Sequence, residues 1–222
     1  MEVFEVGKRL EIGKEFEFKI IVGNRVIRLF CTPVNLEELV MGFLITEGLS
    51  SSPEVIVEGD VAVAKVDRNF DTAINSSGCA GVYVDEKLNP VKPGFRFSMS
   101  FIEDFIEKLE GDYYRRTRAY HTALIVSKNG DFVRAFDVGR HNAVDKAIGL
   151  AYRNRFDFSS SFLLLSGRIT AGIVKKCIRA GIPLVVSKAA ILDLAVDYCK
   201  KYGLSAISFA TGLALNSGAI EV

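Results

Sequence analysis

Ser161-Phe162-Leu163-Leu164-Leu165-Ser166-Gly167-Arg168-Ile169-Thr170-Ala171 is the stretch that decides the fold. An apolar run of strand length shows no alternation, so it reads as a strand buried on both faces. It ends in a small polar turn carrying glycine and arginine, and a helical pattern opens at Ala171. The helix Ala171–Ala180 stops at Gly181, Leu184–Ser187 is the next strand, the helix Ile191–Tyr202 stops at Gly203, and Ala206–Ala210 is a third strand. Glycine just past a helix is its usual terminator. Strand, helix, strand, helix, strand at this spacing predicts a right-handed parallel arrangement with helices packed on the sheet. Just upstream, Thr122–Val126 and Phe132–Phe136 form a hairpin around Asn129-Gly130, followed by a helix over Asn142–Tyr152 with the stripe Ala143, Ala147, Ile148 and Ala151.

The first half reads differently. Glu15 to Val22 alternates, Gly23-Asn24 turns, and Val26 to Phe30 returns, which is a hairpin signal. Asn35 is the expected cap of a helix whose apolar positions are Leu36, Leu39, Val40, Phe43 and Leu44. Val55–Val57 and Val61–Val66 read as strands around Gly59-Asp60. Residues 75–81, Asn-Ser-Ser-Gly-Cys-Ala-Gly, are small and polar and read as a loop. A further helix is expected over about 100–110, with Ser100 as its cap. The stretch 112–120 is the expected boundary. It divides an N-terminal β-rich part, 1–111, with one helix and the Cys79 loop, from an α/β domain, 112–222.

The chain has 222 residues, 28 Lys and Arg against 27 Asp and Glu, and a net charge of +1. That balance argues against a polybasic nucleic-acid binder. No apolar run reaches the roughly 18 residues a membrane span needs, and Met1-Glu2-Val3-Phe4-Glu5 carries acid where a secretion signal wants base. A soluble cytoplasmic protein with no membrane partner is expected. The four cysteines and two histidines show no C-x-x-C pair, so neither a structural zinc site nor a disulfide framework is expected. Cys177 and Cys199 lie in apolar helical patterns and read as core thiols.

Three predicted strand ends carry polar or basic side chains: Asp137 to Asn142, Ser166 to Thr170, and Ser187-Lys188. Ligands of parallel α/β sheets gather at such ends. Two of these segments open into helices, where free N–H groups favour anions. Gly139 and Gly167 allow close backbone approach, and Arg140 and Arg168 offer planar forks for phosphate oxygens. His121 and His141 are candidate hydrogen-bonding or catalytic imidazoles. Asp145 lies four residues after His141, and Lys146 four after Asn142, each pair on one helical face. Cys79, flanked by Gly78 and Gly81, is the candidate nucleophile or carrier thiol.

The run Phe136-Asp137-Val138-Gly139-Arg140-His141-Asn142-Ala143-Val144-Asp145-Lys146-Ala147-Ile148-Gly149 resembles the signature of the FdhD family, the formate dehydrogenase accessory sulfur carriers. Glu38 to Gly48, Tyr120-His121-Thr122-Ala123, Ser166 to Thr170 and Ala180-Gly181-Ile182-Pro183 agree with it, in the expected order. The resemblance implies a cytidine-deaminase-like α/β/α domain beside a smaller N-terminal β-rich one, commonly as a homodimer. It implies a sulfur carrier or sulfurtransferase that accepts persulfide sulfur from a cysteine desulfurase on Cys79. That sulfur passes to the bis-guanylyl molybdenum or tungsten pyranopterin cofactor that formate dehydrogenase needs. The guanine-nucleotide phosphates are then expected on Arg140, His141, Asn142, Asp145, Lys146, Ser166, Gly167, Arg168, Lys188 and His121. The alternative is a chaperone that binds and delivers the guanylyl cofactor without moving sulfur.

The chain departs from the family pattern in three places. Many members carry two cysteines where Ser76-Ser77-Gly78-Cys79-Ala80-Gly81-Val82 holds one. A Pro-Thr expected near Ala189-Ala190-Ile191 is absent, and so is an arginine expected within Thr211 to Asn216. A zinc deaminase on the same fold is excluded, because H-x-E and P-C-x-x-C are required and His121 is followed by Thr122-Ala123.

Overall fold

The computed structural model describes residues 6–66, 71–75, 79–83 and 88–221. The N-terminal hairpin is present as β1 (Phe16–Val22) and β2 (Arg25–Cys31), turning at Gly23 with φ +60°. Helix α1 (Leu36–Thr46) follows, then the hairpin β3 (Val55–Glu58) and β4 (Val61–Ala64). These strands form one sheet in the order β2-β1-β4-β3, with β1 and β4 parallel. Alternate residues Phe18, Ile20, Val22, Ile27, Leu29 and Cys31 point inward, and α1 covers them with Leu39, Val40, Phe43 and Leu44. Asn35 stands at the N-cap position, but its backbone is left-handed (φ 54°) and its side chain makes no cap bond. Its amide turns to Glu38 instead.

The expected loop over 75–81 is in part a second hairpin. β5 (Asp71–Asn75) pairs antiparallel with β6 (Cys79–Tyr83), and Asn75 stands opposite Cys79. Residues 76–78 of that stretch lie outside the described residues. Next comes α2 (Met99–Glu103), capped by Ser98 rather than Ser100, because the Ser98 hydroxyl accepts from the Phe101 N–H at 3.3 Å. A 3-10 turn over Ile106–Leu109 follows, and 112–117 form the short helix α3 (Asp112–Thr117).

The second sheet has six strands in the order β12-β11-β10-β9-β7-β8. β7 (His121–Ser127) and β8 (Phe132–Asp137) are the expected hairpin. Helix α4 (Arg140–Arg153) leads to β9 (Ser161–Leu165), α5 (Ala171–Ala180), β10 (Leu184–Ser187), α6 (Asp193–Tyr202), β11 (Ser205–Ser208) and the short β12 (Leu213–Leu215). β9, β10 and β11 are parallel, as the apolar runs require. Gly181 and Gly203 end α5 and α6 with φ +78° and +69°. Helices α4, α5 and α6 cover one face through Ala147, Ile148, Ile173, Cys177 and Cys199. Phe97, Ile102, Phe105 and Leu109 cover the other, with Phe97 and Phe105 edge-on to Phe162. The result is a three-layer α/β arrangement. Among the described residues, no helix is long and apolar enough to cross a membrane.

The two sheets are joined where α1 packs on α4. A Cβ at Gly42 would collide with the Asp145 carbonyl, and one at Gly149 with the Glu38 carbonyl. Here glycine sets how closely two helices approach. Gly149→Ala forces the helices apart and is expected to destabilise the protein by about 3 kcal/mol, the upper range for overpacking. A urea unfolding midpoint unchanged from wild type would contradict this.

Candidate functional site

The sheet register brings the site together. His121 stands opposite Asp137 in the β7–β8 pair, Ala123 opposite Leu165 in β7–β9, and Leu165 beside Ser187 in β9–β10. The start of β7 and the ends of β8, β9 and β10 therefore share one edge. A cavity of about 390 Å³ opens there. Leu109, Glu110 and Tyr114 form one wall, the run from Arg118 to Thr122 forms the floor, and Ser166 and Lys188 come from the strand tips. That volume lies in the range of small-molecule sites.

The fixed positive charge comes from arginine. Arg168 is exposed and makes no hydrogen bond to any described residue. Arg140 is half-buried, and its Nε is buried without a partner. Arg118 sits at a left-handed backbone position (φ 55°) with its guanidinium 4.9 Å from the Tyr114 ring centre. Gly167 lets Arg140 and His121 close up: a Cβ there would lie 3.2 Å from Arg140 Cβ and 3.3 Å from His121 Nδ1. The α4 N-terminus begins at Gly139, which has no side chain to cap it, and the Gly139 N–H is already taken by the Asp137 carboxylate at 2.8 Å. The α5 N-terminus is taken by the Thr170 hydroxyl.

Both histidines are held neutral. Burial, then Arg140 and Arg168, lower the His121 pKa against the pull of Asp137. His141 is only 6% exposed. Burial, then Lys176, Arg140 and His121, depress it to about 3. Its Nδ1 is buried without a partner. The imidazoles thus offer hydrogen bonds rather than charge.

Other predicted residues turn inward. Asn142 Nδ2 donates to the Phe30 carbonyl at 2.8 Å and to Asp137 Oδ1 at 3.0 Å. Lys146 is fully buried, 2.6 Å from Asp137 Oδ2 and donating to the Thr32 carbonyl at 2.8 Å. Asp145 accepts from Lys176 at 2.9 Å on both oxygens and from the Thr46 hydroxyl at 2.7 Å. These three side chains are spent on internal bonds and position the motif rather than line the cavity. Ser166 lines it, while its Oγ accepts from the Thr122 N–H at 2.9 Å. Lys188 reaches Glu110 at 3.2 Å.

Sequence reasoning missed Lys176, whose Nζ also donates to Glu47 at 2.8 Å. Burial alone would drive Lys176 down, but Asp145 and Glu47 outweigh it and hold it above the ordinary lysine value. It also missed Glu110, Tyr114 and Arg118 on the cavity wall. Arg118 lies in the basic run read as a boundary, and that charge was the available signal.

Burial raises the thiols of Cys31 and Cys199 to about 12 and that of Cys177 higher still. These three cysteines are buried and unreactive. Cys79, the fourth, opens β6. Among the described residues, no cluster of three His, Cys, Asp or Glu side chains could hold a metal.

Fold and site together define a three-layer α/β protein with a cleft of small-molecule size at its strand tips, lined by Arg118, His121, Lys188 and Glu110. The sequence model of the FdhD/NarQ family matches residues 14–217, and the chain belongs to that family. It is 34% identical over 200 residues to the sulfur carrier protein FdhD of Sulfurisphaera tokodaii, covering 83% of this chain and 78% of the relative. It is 30% identical over 220 residues to the sulfur carrier protein FdhD of Methanothermobacter thermautotrophicus, covering 93% and 88%. Among solved structures it is similar to a protein from Desulfotalea psychrophila assigned as a formate dehydrogenase accessory protein. That match has a TM-score of 0.74 and 26% identity, over 90% of this chain and 84% of that one.

The His141 environment fixes a sign for acid stability. Unfolded histidine titrates near 6.5 and the folded group near 3, so the unfolded state binds the extra proton between those values. Stability is therefore lost as pH falls through that window. Between pH 7 and 4.5 wild type is expected to lose roughly 2 to 3 kcal/mol more than His141→Gln, read from urea unfolding at each pH. Equal losses in the two proteins would contradict the neutral buried imidazole.

Proposed function

We propose that this chain is a sulfur carrier that takes persulfide sulfur from a cysteine desulfurase on Cys79 and passes it to the bis-guanylyl molybdenum or tungsten cofactor of formate dehydrogenase. The observation that carries this is the cationic cleft, met by a chain whose other three thiols are buried and held protonated. In the first step the Cys79 thiolate attacks the sulfane sulfur of the desulfurase persulfide. A sulfur–sulfur bond forms on Cys79, the desulfurase thiolate leaves, and there is no net redox change. In the second step the sulfane sulfur leaves Cys79 for the metal, and the Cys79 thiolate is regenerated. Two electrons convert that sulfur to a sulfide, drawn from the reduced metal centre or from two external thiols that end as a disulfide.

The cofactor enters as substrate. Arg140 and Arg168 take its pyrophosphate oxygens through their planar guanidinium forks. His121, neutral beside two arginines, donates a hydrogen bond without repelling them. Ser166 adds a hydroxyl from the β9 tip. The relatives' name, sulfur carrier protein, supports the sulfur step. The single cysteine of the 75–82 segment favours one competing reading, a delivery chaperone that moves no sulfur.

Mass spectrometry after incubation with a desulfurase and cysteine separates the two. Wild type is expected to gain one sulfur, and Cys79→Ala none. A full adduct on Cys79→Ala removes Cys79 from the mechanism. Normal formate dehydrogenase activation by Cys79→Ala in cells would favour the chaperone. Arg168→Ala is expected to weaken GDP binding roughly 10- to 100-fold, the scale of a charge-assisted bond, with folding unchanged. GDP affinity equal to wild type would take the phosphates away from this arginine.

A further inference from the structure

The cavity holds one acid among its cations. Glu110 Oε1 accepts from Lys188 Nζ at 3.2 Å across the cleft, and both side chains are half exposed. A carboxylate opposes the binding of a polyanion, so its place in this wall asks for a ligand group that needs an acceptor. The wall is firmly held. Leu109 is buried beside Phe105 and Phe162, the Glu110 N–H bonds the Glu107 carbonyl at 3.1 Å, and Arg134 donates to the Lys108 carbonyl at 3.3 Å.

We propose that Glu110 and Lys188 together read the guanine base of the bound nucleotide. This rests on the guanylyl-cofactor reading above. The pair presents two acceptor oxygens next to an ammonium donor. The Watson–Crick edge of guanine offers the complement: N1–H and the N2 amino group donate to the Glu110 carboxylate, and O6 accepts from Lys188. Adenine is mismatched at both points. Its N6 amino group meets the ammonium, and its N1 lone pair meets the carboxylate. A half-exposed ion pair contributes little by itself, so it yields to a base that satisfies both members. Tyr114 and the Arg118 guanidinium over its ring at 4.9 Å line the same cavity, and the guanidinium plane offers the base a stacking partner.

The test is calorimetric titration of the full-length protein with GDP, IDP and ADP, with inorganic pyrophosphate as a probe of the phosphate site alone. Wild type is expected to prefer GDP to ADP by at least about tenfold, the scale of a bidentate base contact, with IDP between them because it lacks the N2 amino group. Glu110→Gln and Glu110→Ala are expected to bring the GDP-to-ADP ratio close to one without weakening pyrophosphate binding. Reading the ratio matters, because removing Glu110 frees Lys188 and strengthens the hold on any anion. A GDP preference retained in both variants overturns Glu110 as the reader and leaves the cofactor-binding function standing. Wild type that binds pyrophosphate but shows no preference for GDP also overturns it. Wild type that binds no nucleotide takes the cofactor reading down as well.

Discussion

The structure depends on the carboxylate of Asp137. It is fully buried at the end of β8 and holds four partners. The Thr32 N–H donates at 2.9 Å, the Gly139 N–H at 2.8 Å and the Asn142 amide at 3.0 Å, while Lys146 lies at 2.6 Å. Thr32 follows the last residue of β2, so this one side chain ties the N-terminal sheet to the strand tip and to the first turns of α4. A buried ion pair is costly to desolvate, and only full hydrogen bonding offsets that cost. Here the Asn142 amide and the Lys146 ammonium also bond the carbonyls of Phe30 and Thr32. Losing either partner would leave a charge stranded in the core. The network's return is geometric: it fixes Gly139 and Arg140 at the edge where the cavity opens.

The second buried network starts from the neighbouring residue of the same helix, Asp145. Lys176 on α5 gathers Asp145 of α4 with Thr46 and Glu47 at the end of α1, and Arg179 joins through the Thr46 carbonyl at 3.1 Å. Three helices from two sheets are thereby pinned. The Lys176 charge in turn helps keep His141 neutral. The signature motif therefore splits by face. Arg140 lies beside Gly167 at the strand tips, while Asn142, Asp145 and Lys146 brace the helix that carries it.

Much of this was legible in the sequence. The unbroken run Phe162 to Leu165 announced a strand buried on both faces, and the Gly181 and Gly203 stops fixed the helix ends. Ser166, Gly167, Arg168 and Lys188 fell on one edge because β9 and β10 run parallel, while the antiparallel β7 brings His121 there by its first residue. What stayed illegible depended on pairing across the chain. Spacing put Asp145 on the face of His141, yet its partner is Lys176, which only folding brings near. No sequence pattern singles out Glu110, and only folding brings the end of the 3-10 turn to Lys188. Residues 75–81 lack an apolar stripe, so the hairpin of β5 and β6 gave no signal in the side chains. Its register is carried by backbone bonds.

The lone thiol of this hairpin is consistent with a carrier. A persulfide beside a second thiol is unstable: the thiol attacks the inner sulfur, a disulfide forms, and the outer sulfur leaves as hydrogen sulfide. Cys31, Cys177 and Cys199 cannot take that role, since burial holds each of them protonated and out of reach. The 75–82 segment holds no second cysteine, so that local route is closed as well. Sulfur placed on Cys79 then has no intramolecular thiol to discharge it. Under the proposed reading its exits would be an incoming thiol from outside or the metal of a docked cofactor. Guanidinium charge at the strand-tip edge would favour the second by attracting a polyanionic substrate.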